Sequence, residues 1–197
     1  MPLNDKHFWI FDMDGTLTLA MHDFDAMRAE LSLPAGVPIL EALAAMDAQT
    51  AALKHKELDA MELRMAADAK PQPGAAALLE MLTARGDKVG ILTRNGKEIA
   101  EVTLAACGLD RYFETNDVVS RDCCAPKPDP AGIHLLLQRW SATADDTVMV
   151  GDYHFDMQAG HFAGTTSVHL DVTKAFQWPE VTDVAVSSLQ ELQEQLT

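Results

Sequence analysis

At 197 residues and 48% hydrophobic content, the chain can build one substantial core plus a small second module, and it is too apolar to be disordered. Fifteen basic against thirty acidic residues leave a formal net charge of −15, which argues against nucleic-acid binding, because that depends on neutralising phosphates with cations. No apolar run is long enough to cross a bilayer, and the opening Met1–Lys6 shows no basic start followed by a hydrophobic stretch, so neither a membrane span nor a secretory leader is expected.

The first element is an apolar strand, Phe8-Trp9-Ile10, that runs into an acidic, glycine-containing turn, Phe11-Asp12-Met13-Asp14-Gly15-Thr16-Leu17-Thr18. Asp12 falls at the carboxyl end of the strand and Asp14 points back toward the same crevice. In open parallel sheets that crevice is where ligands bind. Two carboxylates beside a glycine that lets backbone approach suggest a hard cation and an anionic ligand. Asp23 to Leu33 then carries Phe24, Met27 and Leu31 at helical spacing, with Asp23 as N-cap. Pro34–Pro38 interrupts, and two further helices are expected over 39–47 and 49–69. Residues 19–71 thus read as a small helical module inserted after the first strand, with hinges at Leu19–Ala20 and Lys70–Gly74. Residues 1–18 and 72–197 form the main domain. Met27, Met46, Met61 and Met65 read as packing within the inserted module.

In the main domain the spacing predicts helices over 74–84, 96–107, 130–140, 155–163 and 189–196. Strands are expected over 88–93, 118–119, 147–150, 166–170 and 184–186. Apolar strands alternating with helices signal an α/β fold, a doubly wound parallel sheet. Three further polar signals fall at strand or loop ends: Thr93-Arg94-Asn95-Gly96, Lys127-Pro128-Asp129-Pro130, and Gly151-Asp152-Tyr153-His154-Phe155-Asp156. Of three cysteines, Cys107 reads as a small core residue, and the pair Cys123-Cys124 lacks a second Cys/His pair for a metal. Their number fits a reduced, cytoplasmic setting. His154 and His22 are placed where they could touch a ligand; His7, His55, His134, His161 and His169 read as surface or packing residues.

With all four signals in order, the sequence resembles the haloacid dehalogenase superfamily of phosphatases, in the subgroup with a helical cap after the first motif, and is phosphoglycolate phosphatase-like. The resemblance runs from Phe8 to Asp171 and implies a Mg²⁺-dependent hydrolase of a small phosphomonoester. Asp12 is the candidate nucleophile that forms an aspartyl-phosphate. Asp14 is the candidate acid for the leaving alcohol and base for the attacking water; by resemblance its backbone carbonyl is a metal ligand. Asp152 completes the protein's share of an octahedral oxygen site, joined by Asp12, with Mg²⁺ as the natural occupant. Thr93 offers a hydroxyl to a phosphoryl oxygen, beside Arg94 and Asn95 at a helix N-terminus that favours anions. Lys127 offsets the crowded carboxylates and the phosphate charge. Asp156 holds Lys127 or a metal-bound water.

Taken singly, Asp14 could be a turn former, Asp152 an N-cap of the following helix and Asn95 a cap of its own. A carbon–halogen hydrolase would need no acid for its leaving group, so Asp14 argues for phosphoryl transfer. A phosphomutase uses the same aspartates and stays open as an alternative, as does, more remotely, a catalytically quiet binding or regulatory core. Leu19 and Ala20 stand where many relatives carry an acidic residue and a serine. No motif in the cap names the substrate, and none speaks to oligomeric state.

Overall fold

The computed structural model describes residues 3–21 and 23–196, so His22 lies outside the described residues. Six strands form one parallel sheet: β1 (Phe8–Phe11), β2 (Lys88–Leu92), β3 (Val118–Val119), β4 (Thr147–Gly151), β5 (Thr166–Leu170) and β6 (Val184–Val186). Their order is β3-β2-β1-β4-β5-β6, the expected doubly wound arrangement. β4 and β5 are buried at every residue, as near-continuous apolar runs covered on both faces should be.

Side-chain alternation divides the core in two. Trp9, Phe11, Val89, Ile91, Val148 and Val150 face one layer, with Leu78, Leu79 and Leu82 of α4 (Ala75–Ala84), Leu104 of α5 (Lys97–Cys107) and Leu189 and Leu192 of α8 (Leu189–Glu194). Ile10, Leu92 and Met149 face the other, with Ile133 and Leu136 of α6 (Ala131–Trp140) and Ala159 of α7 (His154–Ala163). Each fully buried leucine contributes roughly 2 kcal/mol of transfer free energy. Gly90 is required on the second face: a Cβ there would come within 2.7 Å of the Trp140 ring.

Between β1 and α4 lie α1 (Phe24–Glu30), α2 (Ile39–Ala44) and α3 (Ala48–Ala66). They share a core of their own, built from Met27, Leu31, Leu33, Ile39, Leu43, Leu58 and Met61, with Met46 and Met65 packed against it. The methionines therefore pack as expected. Asp23 caps α1 by accepting from the Ala26 N–H at 2.9 Å. The helix ends short of Leu33 because Ser32 turns to φ 57°. Asp47 is not the end of α2 but the N-cap of α3, accepting from the N–H groups of Gln49 and Thr50. α3 in turn stops at Ala66, short of the expected 69, and packs on α5.

The two ends of this insertion run side by side. The Leu19 N–H donates to the Lys70 carbonyl at 2.9 Å, the Gln72 N–H donates to the Leu17 carbonyl at 2.8 Å, and Thr18 and Pro71 form an antiparallel bridge. The Gln72 side chain also donates to the Gly15 carbonyl at 3.3 Å. No described helix is long and apolar enough to cross a membrane.

Candidate active site

The sheet reverses its winding direction at β1, so the crevice opens at the carboxyl ends of β1 and β4. Asp12 follows β1 directly, its N–H donating to the Val150 carbonyl of β4 at 2.8 Å. Asp152 follows β4, and Tyr153, not Asp152, occupies the N-cap of α7. Asp152 is therefore spared a capping role. Gly15 passes under it at φ 88°, and a Cβ there would come within 2.7 Å of the Asp152 carboxyl carbon. Only glycine permits both that backbone conformation and that approach.

Lys127, brought in by the loop before α6, is 2% exposed and sits between two carboxylates. Its Nζ lies 2.5 Å from Asp12 Oδ1 and 2.6 Å from Asp156 Oδ1. Asp156 uses its other oxygen to accept from the Tyr153 N–H at 3.0 Å. Although burial opposes the charged amine, Asp12 and Asp156 together push Lys127 up to about 12. Asp12, Asp152 and Asp156 bring one oxygen each within 4.8 Å of one another. That crowding is costly: burial and the charges of Asp12 and Asp156 push Asp152 up to about 8. Burial, and then Asp12, push Asp156 up to about 6 in spite of Lys127. An all-oxygen donor set with more negative than positive charge suits a hard divalent cation.

Asp14 is held apart from this cluster. Its Oδ2 accepts from the Asn95 side-chain amide at 2.7 Å. Burial and the neighbouring Asp12 charge nevertheless push it up to about 7. Asn95 in turn follows Thr93, whose hydroxyl oxygen accepts from the Asn95 N–H at 3.1 Å, and Thr93 itself is anchored by its N–H to the Val119 carbonyl. Thr93 and Asn95 are thus buried at the end of β2, beside Asp14. Arg94 points elsewhere. Its guanidinium pairs with both oxygens of Glu41 on α2, at 2.9 and 2.7 Å, lies 4.6 Å above the Phe155 ring, and donates to the Lys127 carbonyl.

A family profile described as haloacid dehalogenase-like hydrolase matches residues 9–170. The chain belongs to the haloacid dehalogenase-like hydrolases. An uncharacterised hydrolase of Saccharomyces cerevisiae is 27% identical, over 93% of this chain and 87% of its own length. A phosphoglycolate phosphatase of Rhodospirillum rubrum is 32% identical, over 81% of this chain and 77% of its own. The fold matches the crystal structure of a hydrolase from Pseudomonas syringae with a TM-score of 0.81 and 23% identity, covering 97% and 98% of the two chains.

In this haloacid dehalogenase-like hydrolase the structure gathers Asp12, Asp14, Thr93, Asn95, Lys127, Asp152 and Asp156 at one sheet edge, and turns the Arg94 side chain toward the cap. Sequence reading passed over Thr16, whose hydroxyl lies 3.4 Å from Asp152 Oδ1. It also passed over Glu41, Glu62 and Arg121, which link cap and core. Arg121 carried one signal, its position just beyond a strand end; the cap carboxylates carried none, since an acidic residue on a helix is usually a solvated one. His154 opens α7 with its ring 5.5 Å from that of Trp178. Cys107, Cys123 and Cys124 are free thiols, and the cysteine pair joins no metal-binding cluster among the described residues. Between α3 and α5, Asp14, Thr18, Glu62, Met65 and Thr103 help enclose a cavity of about 10 Å³, room for about one water.

Proposed function

We propose that this hydrolase is a Mg²⁺-dependent phosphatase that cleaves a small phosphomonoester through an aspartyl-phosphate at Asp12, with Asp14 as general acid and then base. The observation that carries this reading is the division of labour between the two aspartates of the first turn. One is tied to a buried lysine; the other, two residues on, is pushed up to about 7. Paired carboxylates with separated titration are the mark of nucleophile and acid. Lys127 orients Asp12 and offers its charge to the phosphoryl group during transfer. Asp14, titrating near neutrality, is suited to give a proton to the leaving oxygen and to take one from water afterwards.

Asp12, Asp152 and the Asp14 backbone carbonyl would hold Mg²⁺, which supplies charge neutralisation and Lewis-acid polarisation of phosphoryl oxygens when bound. Thr93 and the backbone N–H groups around Asn95 would receive the remaining phosphoryl oxygens. Asp156 keeps Lys127 in place. Residues 19–71 act as a lid that opens to admit substrate, since the cavity beside Asp14 is too small for one, and a lidded site favours a small phosphorylated metabolite over a polymer. Three unpaired thiols support a reduced, cytoplasmic setting.

The test is inorganic phosphate release from an aryl phosphate, with and without Mg²⁺, for the wild type and Asp12→Ala. Mg²⁺-dependent release that the substitution abolishes is the expected result. Release that persists in Asp12→Ala would overturn the nucleophile assignment.

A further inference from the structure

Arg121 lies outside the cluster around Asp12, yet it touches both the loop that carries Asn95, the partner of Asp14, and Glu62, which lines the cavity beside Asp14. Its backbone N–H donates to the Asn95 carbonyl at 3.0 Å. Its Nη1 donates to the Arg94 carbonyl at 2.9 Å and to Glu62 Oε1 at 3.3 Å. Its Nη2 donates to Glu62 Oε2 at 2.8 Å and Asp59 Oδ1 at 2.5 Å. Asp59 and Glu62 belong to α3, so one side chain grips the cap with one edge and the loop after β2 with the other. The Arg121 and Glu62 side chains are each 8% exposed, so the pairing is made largely out of water.

The loop that Arg121 grips is the one that delivers Asn95. Its side-chain amide sits 2.7 Å from Asp14 Oδ2, and its own N–H is fixed on Thr93 Oγ1. With Oδ2 accepting from the amide, a proton carried by Asp14 belongs on the other carboxyl oxygen. A chain of contacts therefore runs from Asp59 and Glu62 through the Arg121 guanidinium to the Arg94 carbonyl, while the Arg121 backbone N–H holds the Asn95 carbonyl beside it. From there the contacts reach the Asn95 amide and Asp14.

We propose that Arg121 is a positioning residue that couples closure of the cap to the orientation of the acid Asp14. Given the phosphatase reading above, on which this inference rests, Asp14 is aligned to protonate a leaving group only when α3 is seated. With the cap open, Arg121 loses Asp59 and Glu62, and the loop carrying Asn95 loses the tie that aims its amide. Arg121 does not bind the phosphate itself, because its four Nη donors are directed to the cap and to Arg94. The planar fork matters: a lysine at this position supplies the charge from a single nitrogen and cannot serve both edges at once.

The experiment measures kcat/KM, which reports steps up to leaving-group departure, on 4-nitrophenyl phosphate and on phenyl phosphate. The two esters have similar shape, but the second expels a poorer leaving group and depends more on the acid. Wild type, Arg121→Lys and Asp59→Asn are compared as full-length proteins with Mg²⁺ present, with thermal unfolding as a check on folding. Arg121→Lys is expected to lose about 10- to 100-fold on phenyl phosphate and only about threefold on 4-nitrophenyl phosphate, the range that a displaced acid covers. Asp59 is half-exposed, so Asp59→Asn keeps the fold and shows the same selectivity on a smaller scale, about fivefold. Equal losses on both esters in both variants, or no loss in either, overturn the coupling and leave the phosphatase reading standing. Absence of Mg²⁺-dependent turnover in the wild type overturns that reading, and the coupling falls with it.

Discussion

Replacing Lys127 with methionine keeps the length and apolar body of the side chain and deletes its charge. In the native protein the amine is 2% exposed, within 2.6 Å of two carboxylates, one of them 3% exposed. Its shift from 10.5 to about 12 corresponds to roughly 2 kcal/mol of net favourable pairing, at about 1.4 kcal/mol per unit. A lysine raised in this way contributes that stability in full below pH 10.5 and loses it only as pH passes 12, so the whole working range is affected. The cost of the substitution is larger than the pairing itself, because Asp12 and Asp156 are left buried without a cation; about 3–5 kcal/mol is expected. Protonation relieves such groups, so the loss should be greater at pH 8 than at pH 5. Urea denaturation of the metal-free proteins at the two pH values measures this directly. A loss below about 1 kcal/mol at both, or the same loss at both, would show that Lys127 does not neutralise this cluster.

Two further outcomes follow from the same cluster. Asp156, Asp14 and Asp152 stand at about 6, 7 and 8 against an ordinary value of 3.8. Raised carboxyls contribute stability below pH 3.8 and lose it as pH climbs through 6 to 8. The melting temperature of metal-free protein should therefore fall between pH 5 and pH 8.5, and saturating Mg²⁺ should raise it more at pH 8.5. A Mg²⁺ shift that is equal at the two pH values, or greater at pH 5, would argue that the cation binds elsewhere. Gly15→Ala places a Cβ against the Asp152 carboxylate at a backbone φ of 88°. It should weaken Mg²⁺ by at least tenfold, since displacing a ligand or its support costs about 10- to 100-fold; an unchanged Mg²⁺ titration of activity would falsify the assignment of Asp152.

The sheet and the gathering of most candidate site residues at its carboxyl ends were legible because each depends on short-range pattern. Apolar runs such as Thr147–Val150 are interrupted abruptly by polar turns, and a parallel sheet brings those turns to one edge whatever the helices do. Helix ends inside the cap were less legible. No glycine or proline separates α2 from α3, so the break at Ala45–Met46 is marked only by Asp47, whose capping bonds to Gln49 and Thr50 need the backbone in place to be recognised. α3 stops at Ala66 although Ala67 and Asp68 could extend it, because the chain must reach Lys70 to pair with Leu19. Arg94 shows the limit most clearly. Next to Thr93 it reads as a phosphate ligand, but the fold brings Glu41 of the cap to it from 53 positions away. Arg121 and Glu62, 59 positions apart, were hidden for the same reason.

The pairing of Leu17–Leu19 with Lys70–Gln72 has a consequence for how the molecule can vary. Entry to and exit from the cap are one hydrogen bond apart, so to the sheet the whole insertion is equivalent to a tight hairpin. A cap of another size or sequence can be spliced between the same two short strands without moving Asp12 or altering strand register. On the phosphatase reading, substrate preference is thus free to change by exchange of one continuous segment while Asp12 and the sheet beneath it stay fixed, provided the exchanged segment again supplies carboxylates to Arg121. The Gln72 side chain, which holds the Gly15 carbonyl from the exit strand, marks where an exchanged cap must stop.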